Sequence, residues 1–175
     1  MSLCDITSGY TLGCRDSMGG VHYFIFIQKE HIESVTESDG EVTAIALKNG
    51  ERGWKIEQEE ETSTANENPI GNRENGTYRV EQEAIAVLND SQKETRNLVN
   101  LLAKNRLVVI PAKNDGTFVL LGKERGLMLG DGTGGSGTAK EDRSGFESLP
   151  FTGTERELAP VVDPTIIDGL LVPAS

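Results

Sequence analysis

Few residues in this chain could do chemistry, and they are scattered. The two cysteines, Cys4 and Cys14, close the stretch CDITSGYTLGC at its ends. Thiols so placed could form a disulfide, clip a metal or carry a lipid. A reducing cytoplasm keeps cysteines free more often than bridged. Zinc asks for four ligands, and His22 and His31, the only histidines, complete no known spacing with the cysteines. Only Met1-Ser2-Leu3 precedes Cys4, so no lipobox fits, and no basic-then-apolar leader is expected. Acidic runs are the other candidates, Glu57-Gln58-Glu59-Glu60-Glu61 and Glu81-Gln82-Glu83. Paired carboxylates act as acid and base in glycosidases or bind hard cations. A glycosidase cleft is lined with aromatics, whereas this chain has one Trp and 5% aromatic residues. A D-x-[DN]-x-[DN]-G calcium loop is also missing from the sequence.

Other signatures fail in the same way. Gly130, Gly132 and Gly135 spell G-x-G-x-x-G, but the following TAKEDRSGFES does not open a helix and no βαβ alternation surrounds it. A flexible connection between strands is the better account. Asn75-Gly76-Thr77 matches a glycosylation sequon and is read instead as a tight Asn-Gly turn. His22, in an apolar strand, is read as a packed or capping residue rather than a base. No G-x-S-x-G, catalytic-Cys or H-E-x-x-H pattern occurs. The expectation is a non-enzymatic protein with no cofactor and no metal.

The elements that would position these residues are mostly strands. VHYFIFIQ, Val21 to Gln28, is apolar on both faces and reads as a strand covered on both sides. Turn signals at Ser38-Asp39-Gly40 and Lys48-Asn49-Gly50 then mark a meander of short antiparallel strands. GWKIEQEEETS and TYRVEQEAIAVLN read as the arms of a long hairpin whose polar loop covers 62–76. In that pairing, Glu57 and Glu59 would share a face with Glu81 and Glu83, like charges opposite like charges. Ser91-x-x-Glu94 is a capping box opening a helix over 91–104, with Leu98, Leu101 and Leu102 as its apolar stripe. RLVVIPA and TFVLLGKE form a further hairpin, and RGLMLGDG pairs with GFESLPFTGTERELAPVV. The expected fold is mainly β, an antiparallel sandwich or barrel with one flanking helix. It divides into an N-terminal arm or turn at 1–20, the β domain at 21–162 and a C-terminal arm at 163–175.

Composition narrows the partners. The 175 residues carry 17 Lys and Arg against 28 Asp and Glu, a net charge of −11. That balance disfavours gripping phosphate backbones or an anionic membrane. No run is long and apolar enough to span a bilayer. The core looks poor, with 36% hydrophobic residues.

Three features together resemble a family of structural proteins. The opening has Cys4, Ile6, Thr7, Gly9, Cys14, Arg15, Asp16, Gly19 and Gly20 ahead of an aromatic strand. A long hairpin, a lone helix and more strands follow. Near the end a Gly/Thr-rich turn leads to Asp142 to Gly145 and then Phe151 to Gly153. This is similar to the tail tube and related virion proteins of tailed phages that infect Bacteroidota. The resemblance implies a phage tail-tube-like sandwich that forms hexameric rings stacked into a tube in the virion tail, assembled in the host cytoplasm. DNA would pass without specific binding, other tail proteins would be partners, and no membrane would be involved. It further implies that Cys4, Ile6, Cys14, Asn68, Pro69, Ile70, Ile166, Ile167, Leu170 and Leu171 meet neighbouring subunits. An acidic lumen would repel DNA over a Debye length of about 8 Å, with Glu57, Glu59, Glu81 and Glu83 facing it. A one-residue slip would present Gln58, Glu60, Gln82 and Ala84 instead. A tail terminator, head–tail connector or baseplate component is the alternative, and a monomeric carbohydrate-binding sandwich a more distant one.

Overall fold

The aromatic strand organises everything else. In the computed structural model, which describes residues 5–15 and 17–174, β1 (Val21–Gln28) runs between two hydrophobic clusters. Phe24 and Phe26 point into one, Ile25 and Ile27 into the other, because successive side chains of a strand face opposite ways. Each such fully buried side chain is worth about 1.5–3 kcal/mol relative to exposure.

The remaining strands are β2 (Ile32–Ser38), β3 (Glu41–Leu47), β4 (Trp54–Glu57), β5 (Thr64–Asn72), β6 (Thr77–Leu88) and β7 (Leu107–Lys113). After them come β8 (Met128–Leu129), β9 (Thr133–Gly135), β10 (Gly145–Glu155) and β11 (Val161–Val162). Helix α1 (Lys93–Lys104) lies between β6 and β7, and the short α2 (Ile167–Leu170) follows β11. The central sheet has the order β4-β1-β7. A five-stranded sheet, β5-β6-β10-β8 with β9 also on β10, covers its Phe24 face through Ala84, Ala86, Leu149 and Phe151. A third sheet, β11-β3-β2, and α2 cover the Ile25 face through Val42, Val162, Ile167 and Leu170. The sheets stay open, so the fold is mainly β and of sandwich type, not a closed barrel.

Several expectations change. The long hairpin exists, but its arms are β5 and β6, paired from Thr64↔Ile85 to Asn72↔Thr77. The segment 62–76, expected as a loop, is mostly strand, and its turn is only Arg73–Gly76, where the Asn72 side chain accepts from the amides of Glu74 and Asn75. GWKIEQEEETS instead gives β4, which pairs with β1 and stops at Glu57. A turn follows, with Glu61 at φ 59° and the Thr62 hydroxyl donating to the Glu59 carbonyl.

Helix α1 begins at Lys93, not Ser91, and its N-cap Gln92 makes no side-chain capping bond. Asp90 instead braces the turn ahead of the helix, accepting from the Gln92 amide and the Thr95 hydroxyl. Beyond β11 the chain turns back onto its own body. Ile167 and Leu170 are buried, Gly53 N–H donates to the Leu170 carbonyl, and Glu51 and Ala174 are hydrogen-bonded. Of the segment expected as a C-terminal arm at 163–175, the described residues 163–174 therefore pack on this subunit and do not project. Likewise β1 is buried by its own chain and needs no neighbour to cover it.

Candidate functional site

Two surfaces stand out, and each follows from strand alternation. In β6, Val80, Gln82, Ala84 and Ala86 face the core, so Arg79, Glu81 and Glu83 face outward. Across β5 the opposite residues are Asn68 for Glu81 and Asn66 for Glu83. Across β10 they are Thr154 and Thr152. The outer face of the large sheet thus presents two carboxylates set among amides and hydroxyls. Arg79 lies 3.4 Å from Glu81, an exposed pair that contributes little. The register therefore puts Glu81 and Glu83 outside, with Gln82 and Ala84 inside.

Glu57 and Glu59 do not join them. Glu57 is on β4, opposite Tyr23 and 3.7 Å from Lys55, and Glu59 lies in the following turn. Glu81 and Glu83 belong to the large sheet, Glu57 to the central sheet and Glu59 to neither, so the expected face of stacked like charges does not form. Gln58 bridges the sheets instead, its carbonyl oxygen accepting from Val87 N–H at 2.7 Å.

Behind the acidic face lies a buried polar network that alternation alone could have flagged, since Gln82 holds an inward phase of β6. The Gln82 amide accepts from Gly122 N–H at 2.9 Å and donates to Glu67, which also accepts from Ala159 N–H at 2.7 Å. Nearby, one oxygen of buried Glu155 accepts from the amides of Glu124 and Arg125. Its other oxygen has no hydrogen-bond partner among the described residues. These groups tie the loop after β7 and the segment after β10 to the large sheet.

The second surface is an apolar groove of about 480 Å³ between α1 and the end of β4. Trp54 and Ile56 line one wall, Leu98, Leu101 and Leu102 the other. Leu98 and Leu102 turn inward as the stripe requires, but Leu101 is 60% exposed and Trp54 57%. Arg52 lies over the Trp54 ring at 4.3 Å. Neither Trp54 nor Leu101 stands out in the sequence as more than ordinary core.

The N-terminal segment is exposed throughout its described residues. Ile6, Tyr10 and Leu12 are 94%, 88% and 90% exposed. Cys14 is an exposed free thiol, and Cys4 lies outside the described residues. Of the other expected interface residues, Asn68, Pro69 and Ile70 sit within β5 rather than on a loop, opposite Glu81, Val80 and Arg79. Ile167 and Leu170 are core, and Ile166 and Leu171 pack against it.

His22 is exposed, its ring edge-on to Tyr23, and His31 lies 3.1 Å from Glu51. Gly134 and Gly135 belong to β9, so the glycine-rich stretch supports a strand, not a helix N-terminus. Among the described residues no three His, Cys, Asp or Glu side chains are grouped to hold a metal, and no helix is long and apolar enough to cross a membrane. Comparison with known proteins gives no match to a family model, a curated protein or a solved structure.

Proposed function

We propose that this chain is a structural virion protein, the self-assembling subunit of a phage tail tube whose stacked rings enclose an acidic channel for DNA. The observation that carries the reading is the outer face of the large sheet, where Glu81 and Glu83 stand among Asn66, Asn68, Thr152 and Thr154. Such a face is broad, hydrophilic and poor in cations. DNA moving along it releases no counterions and finds little to hold it. The sequence resemblance to tail tube proteins and the net charge of −11 support the same reading. Within it, the lumen is assigned to Glu81 and Glu83, and Glu57 and Glu59 lie elsewhere on the ring. Identical subunits meeting head to tail close rings or extend filaments.

Negative-stain electron microscopy of the purified protein tests this. Stacked rings or tubes are the expected outcome, and single rings would favour a terminator, connector or baseplate component. A monodisperse monomer at high concentration overturns the proposal.

A further inference from the structure

The chain contains two Asn-Gly pairs, Asn49-Gly50 and Asn75-Gly76, and the fold treats them differently. An asparagine followed by glycine is open to attack on its own side chain, because glycine brings no Cβ to shield the amide nitrogen that attacks. What decides the outcome is whether that nitrogen is free.

At Asn49 it is held. Gly50 N–H donates to the Ala174 carbonyl at 2.7 Å, and Ala174 N–H donates back to the Glu51 carbonyl at 2.9 Å. Glu51 N–H closes the turn on the Lys48 carbonyl, also at 2.9 Å. The C-terminal segment thus clamps this turn from outside, and Gly50 cannot approach the Asn49 side chain without giving up bonds. At Asn75 there is no such clamp. The Asn72 side chain accepts from the amides of Glu74 and Asn75, and its reach ends there. Among the described residues no hydrogen bond holds the Gly76 N–H. Asn75 and Gly76 are both exposed, and a Cβ on Gly76 would meet nothing within 4 Å. The β5–β6 ladder closes at Asn72↔Thr77, which leaves the Asn75–Gly76 peptide outside it.

We propose that Asn75 is a site of spontaneous deamidation at the tip of the β5–β6 hairpin, and that the C-terminal clamp protects Asn49 from the same reaction. Base removes the Gly76 amide proton, and the nitrogen bonds to Asn75 Cγ. The Cγ–Nδ2 bond breaks, and ammonia leaves after taking a proton from solvent. Water then opens the five-membered succinimide at one carbonyl or the other. The products are an aspartyl residue and an isoaspartyl residue whose backbone runs through the side chain. Water is the only co-reactant. Each event takes the net charge of the chain from −11 to −12. The isoaspartyl form also lengthens the backbone by one methylene beside the last pair of the ladder, and it is the substrate class of a protein isoaspartyl methyltransferase. This goes beyond the tube reading and holds whether or not rings form.

The test follows the full-length protein in warm, mildly alkaline buffer, with peptides spanning the two sites separated and weighed over time. The Asn75 peptide should convert and accept methyl groups from an isoaspartyl methyltransferase. Asn49 should convert at least about tenfold more slowly, as the loss of more than one hydrogen bond requires. In urea the two rates should converge, because the clamp is gone. Removing residues 174–175 should free the Gly50 amide and raise the Asn49 rate toward that of Asn75, with the Asn75 rate unchanged. Gly76→Ala, at a tip with nothing packed on it, should slow Asn75 severalfold. Equal rates at the two sites in the folded protein, or an Asn75 that converts only in urea, would overturn the proposal. A Gly76→Ala chain that converts as fast as the native one overturns the cyclic route. An Asn49 that stays slow after the truncation overturns the protective role of the clamp.

Discussion

At the scale of single residues, the buried polar atoms carry the sharpest consequences. Gln82 is 2% exposed and satisfies both Gly122 N–H and Glu67. Replacing it by Leu keeps the volume but leaves a buried amide donor unpaired and removes a donor from Glu67. Such orphaning costs about 1–3 kcal/mol, so Gln82→Leu should lower the urea midpoint without changing its slope. Asp163 acts at the other end of the chain. Its carboxylate accepts from the backbone N–H and hydroxyl of Thr165, which hold its pKa below the ordinary 3.8. A folded-state pKa below the unfolded one stabilises above the unfolded value and is lost as pH falls through the folded one. The 164–170 turn should therefore gain amide-exchange mobility below about pH 3.8, and Asp163→Ala should show that mobility already at neutral pH.

At the scale of elements, strong local pattern was legible and pairing was not. The two-faced apolar run of β1, the β2–β3 turn and the body of α1 all appear where their sequences put them. The hairpin was displaced because TANENPIGN has almost no apolar content and reads as a loop. As β5 it is held by its ladder to β6 at the edge of the sheet, where Pro69 is tolerated because edge strands leave amides unpaired. Tertiary pairing overrides propensity there. The acidic run after β4 failed as a strand because Glu61 takes a left-handed turn conformation, which composition does not announce. Nor does sequence say which carboxylates share a sheet, so half of the expected acidic face went to β4 and the turn after it, Glu57 to the strand and Glu59 beyond its end. One glycine fixes how β10 meets the end of β6. A Cβ on Gly145 would meet the Leu88 carbonyl oxygen and lie 2.8 Å from the Asp90 amide nitrogen. Both are backbone atoms and cannot swing aside. Gly145→Ala should destabilise by about 1–3 kcal/mol and loosen β9 with it, readable as a lower melting temperature and faster exchange at 133–135.

At the scale of the whole molecule, the question is whether the acidic face meets DNA. If Glu81 and Glu83 line a channel, reversing them changes what the channel does and not whether it forms, because both side chains point away from the core and from the β4 groove. Glu81→Lys with Glu83→Lys raises the charge of each chain by four from −11. Repeated around a ring and along a stack, those ammonium groups form a cationic sleeve. A sleeve that neutralises phosphates releases their counterions, and the logarithm of its affinity falls by about 0.9 per neutralised phosphate for each tenfold rise in salt. The double variant should therefore assemble as the native protein does in electron micrographs. It should also retain duplex DNA at low salt and release it as salt rises, whereas native assemblies retain none. Phage carrying the variant should eject DNA more slowly. Exposed carboxylates on the outside of a tube would predict a different pair of results, DNA bound along the outer wall and ejection untouched. Sensitivity of bound DNA to added nuclease separates the two, since a lumen shields what it holds.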